Sequence, residues 1–217
     1  MKYDIQGGAS PVLICNLQDE ESVITRGQNM SWMSPNIRVE AHSGKTLSRS
    51  FFTEKSIMNT RYTAVGGFGT IAFASTLPGE IVALKLDGSK DYLCQRTSIL
   101  ASTFDVIVSR YINEKIDTSL FGEDGFTIER VSGQGVIFLE TDGSIINYPL
   151  QAGQQIIVET GRVVMASGSC EIELKKQKNL NDPDKIVYNT ILTGPGMVLL
   201  QTMSSSKIAH EMQKRMK

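Results

Sequence analysis

The sequence predicts an all-β protein built from repeated β-sandwich or barrel-like units with three internal repeats. A Gly-x-Gly pair followed by an apolar run occurs three times, and a second block of apolar and small residues recurs in step with it at 29–34, 98–102 and 162–167. Similarity at a fixed period is typical of a repeated structural unit. The repeated glycines are Gly67 and Gly69, Gly133 and Gly135, and Gly194 and Gly196.

Short runs of β-branched, aromatic and aliphatic residues, separated by turn residues, predict the strands. Asp87-Gly88 and Asp142-Gly143 lie between such runs and suit tight hairpin turns. Many short strands with turns between them are typical of sandwiches and barrels. In chain order the predicted strands are 12–14, 22–25, 37–40, 71–74, 81–86, 91–96, 106–108, 126–130, 136–140, 145–148, 155–159, 162–165, 171–174 and 197–201.

We predict a single all-β domain over residues 1–203, made of three intertwined repeats. Their bounds are roughly 1–60, 61–125 and 126–203, because the first repeat begins with the second block and the last ends after its Gly-x-Gly strand. The repeats are therefore offset from the chain termini. We expect the last Gly-x-Gly strand to pair with the N-terminal segment and so close the third unit.

Residues 204–217 are predicted to form a C-terminal tail or a short helix. A terminal helix packed on the domain and a frayed tail both fit this segment. A partner-binding or membrane-surface helix is the alternative, because the segment is amphipathic and basic. The apolar positions at helical spacing are Ile208, Ala209, Met212 and Met216, and the basic ones are Lys207, Lys214, Arg215 and Lys217.

The repeated glycines allow two interpretations. A dinucleotide-binding Gly-rich loop follows a strand and opens a helix, so that the helix N-terminus faces the pyrophosphate. Here each Gly-x-Gly precedes a strand-like run, and no third glycine follows. Glycine in that context marks a bulge or a close backbone approach. We therefore interpret the six glycines as structural corners of the repeated β units.

Composition narrows the class of protein. The net charge of −1 provides no basic surface of the kind that binds nucleic acid, so nucleic acid is not expected as a partner. The N-terminal residues lack a charged region followed by an apolar one, so we expect no secretory signal. Three widely spaced cysteines, Cys15, Cys94 and Cys170, are typical of reduced thiols. A cytoplasmic location is expected.

The sequence contains no recognisable catalytic, cofactor-binding or metal-binding motif, and we predict no enzyme activity. The two histidines, His42 and His210, stand apart from any cluster that could bind a metal. Acidic residues cluster at 19–21 and 123–124, where solvated corners are the simpler interpretation. Trp32 is expected in the core or at a subunit interface. The arginines are scattered: Arg49, Arg61, Arg96, Arg110, Arg130 and Arg162.

Several of these motifs resemble a known family. Gly66-Gly67-Phe68-Gly69 within 61–74, the run Pro78-Gly79-Glu80-Ile81, and the closing Gly194-Pro195-Gly196 are similar to the AIM-type mitochondrial-biogenesis family, over about residues 1–203. The resemblance implies an all-β fold like that of the tryptophan RNA-binding attenuation protein, often in oligomers. It implies no catalytic residues, and fold likeness to an RNA-binding protein does not imply RNA binding.

Two functions remain open from the sequence. The first is a non-enzymatic scaffold or interaction protein, which we expect to be a homo-oligomer because repeated units present many similar edges. The second is a small-ligand-binding module or a cupin-like enzyme with its pocket between sheets.

Overall fold

The computed structural model describes residues 1–27, 29–41, 57–111, 127–179 and 182–215. The predicted fold class is confirmed, because the described residues are almost all strands in antiparallel sheets, followed by one short C-terminal helix. The elements are β1 (Lys2–Gln6), β2 (Val12–Leu17), β3 (Ser22–Thr25), β4 (Trp32–Met33), β5 (Ile37–Ala41), β6 (Thr60–Ala64), β7 (Gly69–Ala74), β8 (Gly79–Asp87), β9 (Tyr92–Gln95), β10 (Ile99–Thr103), β11 (Val106–Arg110), β12 (Ile128–Asp142), β13 (Ile145–Leu150), β14 (Gln155–Glu159), β15 (Val163–Ser167), β16 (Glu171–Asn179), β17 (Asp182–Thr193), β18 (Gly196–Gln201) and α1 (Ser205–Arg215).

The described strands form three sheets. The first has the order β1-β2-β7-β4, and the third has the order β14-β17-β16. The second contains the other eleven strands along the path β13-β18-β15-β9-β12-β10-β3-β6-β5, with β8 and β11 also paired to β12.

One pairing pattern occurs three times along the chain. We call residues 12–74, 79–142 and 145–201 units 1, 2 and 3. In each unit the strand after Gly-x-Gly lies between the first strand of the unit and the strand of the second repeated block. Thus β7 lies between β2 and β4, the second half of β12 between β8 and β10, and β18 between β13 and β15.

A hairpin completes each unit. The hairpins are β5–β6, β11–β12 and β16–β17, and their second strands pair with β3, β9 and β14 respectively. The bounds of these units differ from the predicted 1–60, 61–125 and 126–203. Residues 61–74, at the start of the second predicted repeat, lie in unit 1, and residues 127–142, at the start of the third, lie in unit 2.

The expected pairing of the last Gly-x-Gly strand with the N-terminal segment is wrong. Strand β18 pairs with β13 and β15 of its own unit, whereas β1 and β2 lie in another sheet. Short turns connect the strands of unit 3, so β18 finds its neighbours within that unit. Strand β1 instead extends the sheet of unit 1 beyond β2, and Tyr3 packs edge-on against Phe138 of unit 2 with ring centroids 4.9 Å apart.

Adjacent units are joined by strand pairing. Strand β10 of unit 2 pairs with β3 of unit 1, and β15 of unit 3 pairs with β9 of unit 2. An ion pair reinforces the first of these junctions, since Arg26 Nη2 lies 2.5 Å from Glu129 Oε2 and Glu129 is buried. A central core cluster draws residues from all three units, among them Ile24, Ile137 and Leu199. The units therefore share one interior.

The C-terminal segment forms helix α1, which is one of the two predicted alternatives. Its first backbone N–H, at Ser205, donates to Asp142 Oδ2 at 2.8 Å. Lys207 Nζ then forms an ion pair with Glu159 Oε2 at 2.8 Å, so the helix is tied to the end of β14. No helix in the described part of the chain is long and apolar enough to cross a membrane.

Candidate functional site

A cleft lies at the junction of units 2 and 3. It has a volume of about 630 Å³ and is formed where β9 and β15 pair side by side. Its polar lining includes Lys90, Asp91, Arg130, Ser167 and Ser169. Arg130 comes from β12, opposite Leu93 of β9, and the two serines come from the end of β15 and the turn after it.

Arg130, Asp91 and the two serines of this cleft have partners within the chain. Arg130 Nη1 lies 2.8 Å from Asp91 Oδ2, and the guanidinium carbon lies 5.4 Å from the ring centroid of Tyr111. Ser167 Oγ accepts the N–H of Met197 at 3.0 Å, and Ser169 Oγ donates to the carbonyl of Pro195 at 2.7 Å. These bonds hold the walls of the cleft in place. The exposed guanidinium and hydroxyl groups would suit a small polar ligand.

The three cysteine thiols are unsuited to nucleophilic chemistry, because the thiolate is the reactive form. All three are free and buried. Burial raises the pKa of Cys15 to about 12 and also raises the pKa of Cys94 and of Cys170. The thiols are therefore neutral at physiological pH, and they fill space in the core as small apolar groups.

A smaller recess lies beside the start of α1. It has a volume of about 180 Å³ and is lined by residues that include Gln95, Glu140 and Gln201. Burial raises the pKa of Glu140, and the nearby charge of Asp142 acts in the same direction. The recess thus holds a weakly acidic carboxyl group. Among the residues that the structure describes, no three His, Cys, Asp or Glu side chains converge in a way that could hold a metal ion.

The predicted structural glycines lie at strand starts, in connections or within a long strand. Gly67 lies between β6 and β7 and Gly194 between β17 and β18, while Gly69 and Gly196 begin β7 and β18. Gly133 and Gly135 lie within β12. Gly133 has a φ of +91°, and a Cβ atom there would lie 2.3 Å from the carbonyl oxygen of Asp105. None of the six opens a helix. The helix N-terminus that a dinucleotide site requires is therefore missing at these positions.

The acidic cluster at 19–21 has a structural role. Asp19 Oδ1 accepts the backbone N–H groups of Gly66 and Gly67 at 2.8 and 3.2 Å. Glu21 forms an ion pair with the N-terminal amine, and its pKa is lowered mainly by a hydrogen bond from the backbone of Gln18. These carboxylates therefore bind the backbone of their own chain.

Other predicted positions are spread out or lie outside the described residues. Arg61 lies over the ring of Phe104, with its guanidinium carbon 4.9 Å from the centroid, while Arg162 pairs with Glu159. These arginines and Arg130 thus have separate partners. The acidic pair at 123–124, His42 and Arg49 lie outside the described residues, as does the side chain of His210.

Two exposed apolar side chains lie on strands at the free ends of the array of units. Trp32, on β4 of unit 1, is 51% exposed, so the expectation that it lies in the core of the single chain is wrong. Ile157, on β14 of unit 3, is 64% exposed. The sequence identified the strand at 155–159 but did not indicate that, among the described strands, it would pair with β17 alone. Its one signal is the run Ile156-Ile157-Val158, which contains no charge or proline.

Comparison with known proteins agrees with this architecture. The family model described as Mitochondrial biogenesis AIM24 matches residues 3–203. The chain belongs to this family. No curated protein matches it. A crystal structure of a Streptococcus pyogenes protein, determined by a structural genomics consortium, is similar over 99% of each chain, with a TM-score of 0.78 and 20% identity.

Membership of the AIM24 family confirms the resemblance seen in the sequence. The likeness to the streptococcal protein extends over nearly the whole chain, so the two share an all-β fold. At 20% identity this likeness concerns the fold alone. The further resemblance to the tryptophan RNA-binding attenuation protein stays a prediction.

Proposed function

We propose that this AIM24-family chain is a non-enzymatic assembly protein that self-associates and acts as a scaffold or interaction partner. The observation that carries the proposal is the exposure of Trp32 and Ile157 on two strands that have a single neighbouring strand each within the described part of the chain. Exposed strands with apolar side chains are templates for pairing with another chain. A cytoplasmic location fits the three free thiols and is part of the proposal.

The chemistry of the polar groups supports a role without catalysis. The thiols are protonated, and Arg130, in the cleft between units 2 and 3, forms an ion pair with Asp91. A nucleophile needs an adjacent base or a lowered pKa, and the cysteines have raised pKa values instead. Binding by surfaces and edges is therefore the better-supported activity.

Light scattering coupled to size-exclusion chromatography tests self-association. The chain has a mass of 23.9 kDa, and we expect a particle whose mass is a multiple of that value. The fraction assembled should fall on dilution by mass action. A strict monomer at every concentration, with no partner recovered from a pull-down, would overturn the proposal.

A second candidate function is the binding of a small polar ligand in the cleft between units 2 and 3. Its volume of about 630 Å³ lies within the range of ligand sites. Thermal-shift screening against metabolites tests this, since a ligand that binds only the folded state raises the melting temperature. A genuine hit should be lost in Arg130→Ala and kept in Arg61→Ala. The absence of any stabilising compound would count against this candidate.

A further inference from the structure

We propose that β14 of one copy pairs antiparallel with β4 of a second copy, with Ile157 opposite Met33 and Val158 opposite Trp32. The inference rests on the proposed self-association and names the surfaces that carry it. Its basis is a pairing rule that the chain itself follows twice, at the two junctions between its units.

The register follows from those two junctions. At the first, Ser102 of β10 stands opposite Ile24 of β3; at the second, Ala166 of β15 stands opposite Leu93 of β9. Ser102 and Ala166 occupy the same place in their units, because each pairs with the residue two positions after the second glycine of Gly-x-Gly. In unit 1 that place belongs to Met33, which pairs with Ile71.

The other side of the register is taken from the second junction, because in unit 1 Ile24 pairs with Arg61, which lies eight residues before Gly69. Leu93 pairs with Arg130, five residues before Gly135, and Ile157 pairs with Ile191, five residues before Gly196. Ile157 is therefore the counterpart of Leu93 in unit 3. A third junction built by the same rule places Ile157 opposite Met33.

Solvent exposure identifies these positions as the ones whose partner is missing. The counterparts of Ile157 are covered at the junctions within the chain: Leu93 is 1% exposed and Ile24 is 5% exposed, against 64% for Ile157. On the opposite strand Trp32 is 51% exposed, while its counterparts Ala101 and Met165 are 0% and 6% exposed. The equivalent positions are therefore buried wherever a neighbouring unit covers them.

Other free edges in the described sheets carry a proline or a basic residue within the strand, whereas these two do not. Their one charged residue, Glu159 at the end of β14, is paired with Arg162 and Lys207. Proline and charged side chains are common means of protecting an edge strand. Pro149 lies in β13, Arg38 in β5, Lys85 in β8 and Lys175 in β16. Strand β14 has an apolar centre and neither lysine nor proline, and β4 lies between two serines.

A second copy of the chain is the occupant that the topology favours. Within the described part of one chain, β4 ends the four-stranded sheet and β14 ends the three-stranded sheet, and neither strand has a second ladder partner. Joining them produces the strand order β2-β7-β4-β14-β17-β16. This repeats the order β13-β18-β15-β9-β12-β11 found at the junction of units 2 and 3. The contact is head-to-tail, so it builds rings or linear arrays.

Disulfide trapping between two single-site variants tests the register directly. Directly opposed residues of antiparallel strands have Cβ atoms about 4.5–5.5 Å apart, close enough for cross-linking. Met33→Cys and Ile157→Cys proteins, carrying tags of different size, are mixed and oxidised; the native thiols are buried. We expect a mixed dimer on a non-reducing gel. The matched control replaces Ile157→Cys with Ile146→Cys, which is 47% exposed on β13.

A second measurement uses the single tryptophan of the chain. Trp32 emission of the unmodified protein should shift to longer wavelength on dilution, as the indole becomes exposed. Ile157→Lys should give a monomer with the long-wavelength emission at all concentrations and an unchanged circular dichroism spectrum. Ile146→Lys should assemble like the unmodified protein.

The outcomes separate this inference from the proposed function. If light scattering shows an oligomer but the Met33/Ile157 mixture cross-links no better than the control, the edge pairing is overturned and self-association stands. If the protein is monomeric, both are overturned. If the double variant on one chain forms only an internal disulfide, β14 and β4 close within one copy and the second copy is not the occupant.

Discussion

Arg26→Met is expected to destabilise the fold by about 3 kcal/mol, because it leaves the carboxylate of Glu129 buried without its cation. The Glu129 side chain is 2% exposed and its Oε2 atom lies 2.5 Å from Arg26 Nη2. Removing one partner of a buried ion pair costs about 3–5 kcal/mol. Arg26 itself is 23% exposed, so water can reach the vacated site, and we therefore expect the lower end of that range.

Urea denaturation followed by circular dichroism, at one fixed protein concentration, measures this loss. The double variant Arg26→Met/Glu129→Gln should recover much of the stability, since it buries no unpaired charge, and the double-mutant cycle isolates the coupling. Asp91→Asn is the matched control, because it breaks the Arg130–Asp91 pair, whose side chains are both about 40% exposed. Exposed pairs contribute less than about 1 kcal/mol. Equal losses in Arg26→Met and Asp91→Asn would refute the reasoning.

Three further predictions concern the backbone, the thiols and the terminal helix. Gly133→Ala should cost about 3 kcal/mol in urea denaturation, from its positive φ and the crowded Cβ site, whereas Gly153→Ala, with φ +75° and open space, should cost about 1; equal costs would contradict this. Above pH 9.0 the Cys15 thiol ionises in the unfolded chain, whereas in the folded protein it keeps its proton to about pH 12, so the free energy of unfolding falls with rising pH. In Cys15→Ala this free energy should fall less steeply, by up to about 1.4 kcal/mol per pH unit. Identical slopes in the two proteins would show that the thiol is not shielded. Lys207→Ala should lower the free energy of unfolding by less than about 1 kcal/mol, since Lys207 is 59% exposed beside Glu159, and high salt should remove the difference; a loss of several kcal/mol would mean that α1 is held by more than this pair.

The strand content was predictable because local chemistry encodes it. Alternating or continuous apolar runs bounded by Gly, Asp and Pro marked most of the strands. The hairpins predicted at Asp87-Gly88 and Asp142-Gly143 are wrong, because β8 pairs with β12 rather than with β9, and β13 pairs with β18 rather than with β12. Gly88 and Gly143 do have positive φ angles, of +82° and +74°. Strand β6 was missed because its sequence, Thr60–Ala64, mixes polar and aromatic residues without a clear apolar run. Strand β17 was missed because it begins with charged residues and a proline, which discourage a strand assignment.

The bounds of the units could not be found from sequence similarity alone. A repeated motif has the same period wherever the counting starts, so the Gly-x-Gly blocks do not say which strand begins a unit. The hydrogen-bonded pairing of the strands shows where a unit begins. Strand β18 pairs with β13 and β15, and β7 pairs with β2 and β4. Long-range pairing of this kind depends on the whole fold.

The candidate surfaces were predictable only in part. Trp32 was expected in the core or at an interface. Its exposure depends on how many strands lie beside β4, and the order of strands in the sheet sets that number. In the sequence, Ile157 looks like an ordinary buried strand residue, as Leu93 does. Their surroundings differ because another unit follows the one that contains Leu93. The Arg26–Glu129 pair joins residues that lie 103 positions apart, and no local signal connects them.

The pairing of strands between neighbouring units makes the architecture modular in evolutionary terms. Unit 1 pairs with a strand donated by unit 2, and unit 2 pairs with a strand donated by unit 3. A chain that gained or lost one whole unit by gene duplication or deletion would therefore still begin with one unmatched donor strand and end with one unmatched acceptor strand. The number of units can change without a new kind of surface having to evolve.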